Sequence, residues 1–467
     1  MSRYAAFILM LGCLLPVTAN ALFSHPDLAD IPTPPNADVA LMVVDTTNGN
    51  EIYAERADQF QQPASLQKLV TALAGKLYLK DDFRFDTTIE SRGKDIIVRL
   101  GGDPSFTHTD LRVLVEKLKT QHPEIHGNLI LNGGIFEPFE RAIGLPWDIM
   151  GICYSAPSSA FTLNGNCVYG KLEATSEAPV TAVKVSASDR VTIDTNRIHL
   201  REGLNTDNID CELKLTADNN NHYQVGGCVG VHRLPVNFHL SVQNPEKVMT
   251  AILREELARV GITLHGKLIR NDQLRGDIIL RHQSAPLAKL IDEMVKKSDN
   301  LIADNLLKTI GARYFSTAGS FENGAAAIKA ILNEHNVDIG TAEIMDGSGL
   351  SRNNKMTPRQ MMRVVNYIFQ HPEAGMIDTL PVSGVSGTLQ WRPSLVNAPL
   401  KGKVTAKTGS LHGVYNLAGR IKTKSGKSLT FVQIISNYHP QSQNRNIARK
   451  PIRVFEKSFY ESLYNKY

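Results

Sequence analysis

Three short polar motifs stand in a fixed order in this chain of 467 residues, at long and unequal spacings. They are Ser65-Leu66-Gln67-Lys68, Ser298-Asp299-Asn300 and Lys407-Thr408-Gly409. An S-x-x-K alone is expected by chance about once or twice in a chain of this length. The second motif begins 233 positions after the first, and the third begins 109 positions after the second. A site that uses all three motifs therefore requires a fold that brings distant segments together.

The first motif supplies a nucleophile and a base. Pro63 precedes Ser65, and the apolar residues that follow repeat at helical spacing: Leu66, Leu69, Val70, Leu73 and Leu77. We expect Ser65 at a helix start, with Lys68 one turn further on the same face. A serine hydroxyl becomes a good nucleophile when a neighbouring base takes its proton. Burial and the charge of Lys407 would lower the pKa of Lys68 and so supply a neutral amine. Taken alone, Ser65 would be a helix N-cap.

The second motif adds groups that can move a proton and hold the base. Ser298 is short enough to relay a proton between Lys68 and a leaving nitrogen. Asn300 carries an amide that can hold Lys68 and the substrate backbone at once. Taken alone, the three residues would be a helix cap or a turn.

The third motif offers an anchor for a carboxylate. Lys407, on a predicted edge strand, provides a positive charge, and Thr408 provides a hydroxyl donor. Gly409 has no side chain, so an extended substrate can lie against the strand. The backbone N–H groups of Ser65 and Ser410 are candidates for an oxyanion hole. Together the motifs make a complete acyl-transfer site, whereas a lone K-T-G would be a surface turn.

The order of predicted elements indicates the fold. A β-hairpin is predicted from residue 39 to 53, followed by the helix that starts at Ser65. Residues 84–282 read as short strands and turns with one helix, from Asp110 to Thr120. Helices are predicted at 287–297, 301–310, 323–335 and 357–369, strands at 404–407, 417–423 and 429–436, and an amphipathic helix at 452–464. The stripe of that last helix, Ile452, Phe455, Phe459 and Leu463, fits packing on a sheet better than binding to a membrane surface.

These elements predict a multidomain α/β protein. Its catalytic domain, residues 22–83 and 283–467, is an antiparallel sheet flanked by helices, in which the first hairpin and the last strands bring the chain ends together. Residues 84–282 form a large β-rich insertion of two subdomains.

The N-terminus predicts export. Arg3 gives a positive start, residues 5–15 are apolar, and Ala19-Asn20-Ala21 fits a signal-peptide cleavage site after Ala21. A membrane anchor is less favoured because Pro16 breaks the apolar run, and a lipoprotein site at Cys13 is less favoured because Leu11 is large. Without residues 1–21 the net charge is +4, which implies no nucleic-acid partner and at most peripheral association with a membrane.

Four cysteines remain after cleavage: Cys153, Cys167, Cys211 and Cys228. An even number in an exported chain predicts two disulfides, for which three pairings are possible. The close spacings favour Cys153–Cys167 and Cys211–Cys228. A zinc site is the rival interpretation, but no C-x-x-C or paired-histidine spacing supports it. We therefore expect no metal site.

The ordered motifs are the signature of penicillin-binding proteins and serine β-lactamases. With Asp346-Gly347-Ser348-Gly349-Leu350-Ser351-Arg352 and Lys407-Thr408-Gly409-Ser410, the chain resembles the class C low-molecular-mass penicillin-binding proteins of the penicillin-binding protein 4 type, over nearly its whole mature length. The gap of 233 positions favours that family over class A β-lactamases, in which the first gap is far shorter. The resemblance implies a transpeptidase-like α/β domain with an insertion between the first two motifs.

The resemblance also implies a function. Such proteins are periplasmic serine D-Ala-D-Ala carboxypeptidases and DD-endopeptidases. They remove terminal D-Ala from peptidoglycan stem peptides, cleave D-Ala–diaminopimelate cross-links, and are acylated by β-lactam antibiotics at the same serine. No metal or organic cofactor is needed. The alternatives are a serine β-lactamase and a non-catalytic wall-binding protein; the intact polar groups of the motifs argue against the latter.

Three further positions bear on substrate selectivity. Arg352 is expected to meet an acidic group of the substrate. By resemblance, an acidic residue just before the second cysteine of the first bridge would meet the diaminopimelate amine, but Asn164 stands there. His412 occupies a position where the family can have glutamine.

Overall fold

The computed structural model of the protein describes residues 27–174, 183–186, 190–201, 212–440 and 445–467. The predicted signal peptide, residues 1–21, and Cys211 lie outside the described residues. The helices are α1 Gln67–Tyr78, α2 His108–Gln121, α3 Pro245–Val260, α4 Leu287–Lys297, α5 Asn300–Phe315, α6 Phe321–Glu334, α7 Pro358–Gln370, α8 Arg445–Ala448 and α9 Lys450–Lys466.

The strands form several sheets. They are β1 Asp38–Asp45, β2 Glu51–Glu55, β3 Asp86–Arg92, β4 Asp95–Arg99, β5 Glu124–Ile125, β6 Leu129–Asn132, β7 Cys167–Ala174, β8 Val183–Ser186, β9 Thr192–Arg201, β10 Leu213–Ala217, β11 His222–Gly230, β12 Val236–Ser241, β13 Thr263–Leu264, β14 Leu268–Arg270, β15 Asp277–Gln283, β16 Val404–Leu411, β17 Val414–Lys422 and β18 Ser428–Ser436.

One antiparallel sheet joins the two ends of the chain, in the order β16-β17-β18-β1-β2. Strand β1 pairs with β18 in a register that sets Asp38 opposite Ser436 and Asp45 opposite Leu429. Successive residues of a strand point to opposite faces, so a strand with a continuous apolar run, such as residues 39–44 of β1, can be buried on both faces. Ala40, Met42 and Val44 pack in one core with residues of α1, α4, α5, α6 and α7, whereas Val39, Leu41 and Val43 pack in another with α9. The predicted α/β fold, an antiparallel sheet flanked by helices, is confirmed.

Helix α9 covers the second face of this sheet. All four residues of its predicted apolar stripe are buried: Ile452, Phe455, Phe459 and Leu463. They share a core with Phe431 of β18, so the expectation that the stripe packs on the sheet is confirmed. Within the described residues, no helix combines the length and apolarity needed to cross a bilayer.

A second five-stranded sheet, β14-β6-β4-β3-β15, lies within residues 86–283. Its core includes apolar residues of α2 and α3. Only one helix, from Asp110 to Thr120, was predicted in this region, and α3 corrects that prediction. Its signals were present: Asn244 caps the first turn by accepting from the Lys247 N–H, Pro245 is the first helical residue, and Gly261 ends the helix with a φ of +72°. The proposed domain boundaries at 83/84 and 282/283 stay a prediction.

Two three-stranded sheets lie between α2 and α3 in sequence, and a two-stranded sheet pairs β5 with β13. One three-stranded sheet contains β12, β7 and β8 and the other β10, β11 and β9. A disulfide joins Cys153 to Cys167 with their Cα atoms 5.3 Å apart, which confirms the first predicted pairing. Cys228 is also disulfide-bonded. Its predicted partner, Cys211, lies outside the described residues.

Candidate active site

The three motifs meet around the ammonium group of Lys68. Its Nζ atom donates to Ser65 Oγ at 3.0 Å and to Asn300 Oδ1 at 2.6 Å. A third hydrogen bond, of 2.7 Å, goes to the carbonyl oxygen of Ser348. Lys407 Nζ donates to Ser298 Oγ at 2.9 Å. Hydrogen bonds therefore join the first motif to the second at Lys68 and the second motif to the third at Lys407.

The local structure before Ser65 is unusually tight. Ala64 has a φ of +47°, a conformation that non-glycine residues rarely adopt. A Cβ atom at Gly349 would stand 1.9 Å from the carbonyl oxygen of Ala64, and one at Gly409 would stand 2.9 Å from that of Pro63. Asn416 Nδ2 donates to the carbonyl oxygen of Pro63 at 2.9 Å. Gly409 is thus required for close approach to the nucleophile's own segment, a role that the sequence analysis did not foresee.

Helix geometry presents the first two motifs as expected. A short 3-10 turn over Ala64–Leu66 leads into α1, and Ser65 is only half-buried whereas Lys68 is fully buried. The second motif is the junction of two helices. Ser298 ends α4 with a φ of +62°, and the Asp299 side chain accepts from the Ile302 N–H at the start of α5. Asn300 therefore projects from the first turn of α5 towards Lys68.

The third motif lies on β16, the edge strand of the five-stranded sheet that joins the chain ends. Lys407 is fully buried and its Nζ atom also donates to the carbonyl oxygen of Thr408 at 2.9 Å. The Thr408 hydroxyl donates to Thr388 Oγ1 at 2.9 Å. Ser298 bonds to Lys407, so it links the second motif to the third.

Burial and nearby charges set the protonation of this cluster. Burial lowers the pKa of Lys68 to about 8, although the carboxyl groups of Asp304 and Asp346 act in the opposite direction. Burial, together with the positive charge of Lys68, holds the pKa of Lys407 well below its usual range. The predicted lowering of the Lys68 pKa by burial therefore agrees with the structure. The repulsion between the two ammonium groups is expressed in the pKa of Lys407.

Two buried aspartates hold the loop that supplies the third acceptor of Lys68. Asp304 Oδ1, one turn after Asn300 on α5, accepts from the backbone N–H of Ser348 at 2.9 Å. Asp346 Oδ1 accepts from the Gly349 N–H at 2.6 Å. Burial raises the pKa of both carboxyls, and their mutual repulsion adds to the effect at Asp304. Neither role was predicted from the sequence: Asp304 lies outside the three motifs, and Asp346 stood out only as part of the stretch 346–352 that carries the family resemblance.

A cavity of about 370 Å³ opens over Ser65. Its lining comprises Ser65, Pro146, Asp148, Ile149, Tyr154, Ser298, Asn300, Leu350, Arg352, Ser410, Leu411 and His412. The structure thus brings the predicted residues Arg352 and Ser410 and the selectivity position His412 to the motif cluster. Arg352 Nη1 donates to the carbonyl oxygen of His412 at 3.0 Å. Lys68 and Lys407 are fully buried and stand behind this lining.

One wall of the cavity comes from residues 146–154. Asn300 Nδ2 donates to the carbonyl oxygen of Tyr154 at 2.6 Å, and the adjoining Cys153 carries the disulfide. Asp148 supplies the acidic side chain of the lining. Asn164 lies elsewhere: its side chain is exposed and accepts from the His108 N–H at the start of α2. The position that we expected to carry a selective acid is therefore outside the lining, and Asp148 was missed because no local motif marks it.

Comparison with known proteins identifies the family of this chain. Residues 25–458 match the model of the D-Ala-D-Ala carboxypeptidase 3 (S13) family. The chain is 34% identical to the D-alanyl-D-alanine carboxypeptidase DacB of Haemophilus influenzae over 98% of its length and 97% of that protein. It is 27% identical to a D-alanyl-D-alanine carboxypeptidase of Actinomadura sp. strain R39, over 85% of this chain and 77% of that one.

A solved structure is similar throughout. The crystal structure of penicillin binding protein 4 (dacB) from H. influenzae superposes with a TM-score of 0.87 at 32% identity, covering 94% of this chain and all of the other. A second crystal structure of that protein holds a β-lactam and superposes with a TM-score of 0.83. The match extends over the motifs and the segment between them. The chain belongs to the D-Ala-D-Ala carboxypeptidase 3 (S13) family.

Proposed function

We propose that the protein is a serine DD-peptidase that acts on peptidoglycan stem peptides. It would remove terminal D-Ala as a carboxypeptidase and cleave D-Ala–diaminopimelate cross-links as an endopeptidase. The observation that carries this proposal is the contact of Lys68 Nζ with Ser65 Oγ at 3.0 Å, made by a buried lysine whose pKa is lowered to about 8. A neutral amine at that distance is a competent general base for a hydroxyl nucleophile.

Acylation follows from this arrangement. Ser65 Oγ attacks the carbonyl carbon of the penultimate D-Ala while its proton passes to Lys68 Nζ. The backbone N–H groups of Ser65 and Ser410 stabilise the oxyanion that forms. The C–N bond then breaks, and the proton moves from Lys68 through the hydroxyl of Ser298 to the leaving amine. The product is an ester between Ser65 and the shortened peptide.

Deacylation reverses these roles. A water molecule gives its proton to Lys68 and attacks the ester carbonyl, after which the proton returns to Ser65 Oγ as the C–O bond breaks. Asn300 keeps Lys68 in place throughout, since its Oδ1 atom accepts from Lys68 Nζ at 2.6 Å. The cycle uses only groups of this chain and water.

The leaving residue would be recognised by its carboxylate. Lys407 is fully buried and bonds to Ser298 Oγ, so we propose that it supports the carboxylate from behind Thr408 and Ser298 rather than by direct contact. A bound carboxylate would favour the ammonium form of Lys407, whose pKa is otherwise held low by burial and by Lys68. Thr408 supplies the hydroxyl donor. Gly409 serves mainly to let β16 pass close to Pro63.

The cavity lining also carries two side chains of opposite charge, which could bind a substrate side chain that bears both a positive and a negative group. Asp148 and Arg352 line the cavity together with Tyr154 and His412. A diaminopimelate side chain ends in an amine and a carboxylate, which these two groups can pair with separately. This charge pair supports a stem peptide that contains diaminopimelate as the substrate.

The setting of the enzyme completes the proposal. The predicted signal peptide would deliver the protein to the periplasm, with at most peripheral association with the membrane. β-Lactams would acylate Ser65, as the β-lactam complex of the H. influenzae relative suggests. We also propose that residues 22–83 with 283–467 form the catalytic domain and that 84–282 form the insertion.

Defined muropeptides test this function. Monomeric pentapeptide and cross-linked dimer are offered together, and the products are identified by mass. We expect release of D-Ala and cleavage of the dimer, a stoichiometric penicillin adduct on Ser65, and loss of all three in Ser65→Ala. Turnover of neither substrate contradicts the enzyme assignment. Rapid turnover of penicillin, instead of an adduct that persists for minutes, would identify a β-lactamase.

A further inference from the structure

The segment 143–154 forms a rim that is fixed at both ends to the candidate active site. At one end, the backbone N–H of Arg352 donates to the carbonyl oxygen of Gly144 at 2.9 Å. At the other end, Asn300 donates to the carbonyl oxygen of Tyr154. Between these two attachments the chain makes a short 3-10 turn over Trp147–Ile149. The rim therefore keeps a defined position over the cavity.

Trp147 stands on the outside of this rim. Its neighbours Pro146 and Asp148 line the cavity, whereas the Trp147 side chain is 72% exposed. Phe139, Ile143 and Tyr154, in the same stretch of chain, are also exposed. A tryptophan side chain has a large apolar surface, whose burial would be favourable. Several exposed apolar side chains beside a cavity are typical of a ligand-binding surface.

The rim also offers a polar partner. The side chain of Asn353 is exposed and lies against Gly144, where a Cβ atom would stand 2.6 Å from its Cγ. Its amide can both donate and accept hydrogen bonds. A flat ring with a negative face suits a sugar, whose C–H bonds stack on it, and an amide held against the same rim can bond to the hydroxyl and acetamido groups of that sugar.

We infer that Trp147 and Asn353 form a saccharide-binding subsite that holds the glycan to which the stem peptide is attached. This inference rests on the proposed function, which directs the leaving carboxylate towards Thr408 and the acyl part past Asp148. A few peptide residues, each spanning at most about 3.6 Å, then place the sugar roughly 10–15 Å from Ser65. At that distance from Ser65, the sugar would lie outside the cavity and over the rim.

The chain contains a matched control. It has only two tryptophans, and the second, Trp391, is 78% exposed. Trp391 follows Thr388, which accepts the hydrogen bond of Thr408, so it lies towards the leaving-group end. The two residues have the same chemistry and similar exposure but are associated with opposite ends of the bound peptide.

Kinetics on a substrate pair test the subsite. The full mature chain is assayed with free pentapeptide and with the same peptide carrying its N-acetylglucosaminyl-N-acetylmuramyl disaccharide, and the ratio of the two kcat/KM values is measured. We expect Trp147→Ala to lower the preference for the disaccharide form by about fivefold to tenfold, as loss of one aromatic stacking contact would. Trp391→Ala should keep the wild-type ratio, and acylation by benzylpenicillin reports that each variant is folded. An unchanged ratio in Trp147→Ala, or an equal fall in Trp391→Ala, overturns the inference.

A binding experiment separates this inference from the proposed function. In Trp391→Phe, Trp147 is the only tryptophan, and its fluorescence is followed during titration with peptide-free glycan oligomers. A saturable change that is absent from Trp147→Phe supports the subsite even if the wild-type enzyme turns over neither peptide, a result that would refute the proposed function alone. No change, or the same change in both variants, overturns the subsite. Dissociation of a wild-type dimer by Trp147→Ala in sedimentation would overturn it too, since a second copy of the chain would then cover this rim.

Discussion

The candidate active site has an inner part behind the cavity lining and an outer part at the cavity, and the two are built differently. In the inner part, Lys68 and Lys407 are fully buried and bonded to groups from helix ends and an edge strand. In the outer part, Asp148, Tyr154 and His412 are exposed and come from irregular segments. Buried groups in low dielectric interact strongly, whereas exposed charges are screened by water. We therefore expect that changes in the inner part alter the rate of bond cleavage, whereas changes in the outer part alter the choice of substrate.

The largest expected effect comes from the inner part. Ser65→Ala removes the nucleophile, so we expect D-Ala release to fall by about 10⁶-fold, to background, as when the serine of another hydrolase is removed. Intact mass spectrometry after exposure to penicillin should find no adduct. If penicillin still labelled the variant, the nucleophile would be another residue, and the distinction between the two parts of the site would be wrong.

Removal of the base should rank second. Lys68→Met keeps the length of the side chain but cannot take a proton, so we expect acylation to slow by about 10²- to 10⁴-fold. Stopped-flow measurement of penicillin acylation checks this. Lys76→Met is the control, because Lys76 is on the same helix and pairs with Asp81 away from the cavity. Similar losses in both variants would point to damage of α1 instead.

The pH dependence of acylation tests the electrostatics of the inner part. Since the reaction needs neutral Lys68, the rate should rise with pH and level off above about 8, the pKa of Lys68. The charge of Asp304 raises that pKa, so Asp304→Asn should move the rising limb to lower pH. The pH profile of penicillin acylation reports the shift. If the rising limb of the pH profile does not move, Asp304 acts only by holding the loop at Ser348.

The smallest effect is expected in the outer part. Asp148→Asn should raise KM about threefold to tenfold for peptides with a diaminopimelate amine, the loss of one exposed charge-assisted hydrogen bond. It should leave penicillin acylation near the wild-type rate, because penicillin carries no such amine. Peptides with lysine or with a blocked amine provide the comparison. A matching loss on penicillin would show that the two parts are not separable.

The sequence predicts the inner part well for a physical reason. Ser65, Lys68, Asn300 and Lys407 lie in short motifs, and each motif coincides with a helix start or a strand, whose periodicity can be read locally. Asp304 follows Asn300 by one helical turn and could have been found by extending that face of α5. Asp148 could not, because its segment has no periodic structure and reaches the cavity only through long-range contacts.

The fold shows the same contrast. Apolar periodicity located the strands of the sheet that joins the chain ends and the helices α4 to α7 and α9, within a few residues, but not the short helix α8. In residues 84–282, short apolar runs that alternate with turns predicted strands, and α3 was not predicted. Asn244, Pro245 and Gly261 nevertheless mark its ends. Weakly amphipathic helices with many charged residues are the elements that such patterns locate least well.

Because the backbone before Ser65 is tightly constrained, we expect the reactivity of Ser65 towards penicillin to depend on complete folding of the chain. Ala64 keeps its rare conformation between Gly349 and Gly409, residues that lie hundreds of positions further along the chain. Strained backbone of this kind persists only where the surrounding structure over-determines it. A partly folded chain would let Ala64 relax and would turn the serine away from its base before any helix unwinds. Labelling by a fluorescent penicillin should therefore fade earlier than circular dichroism as denaturant is raised.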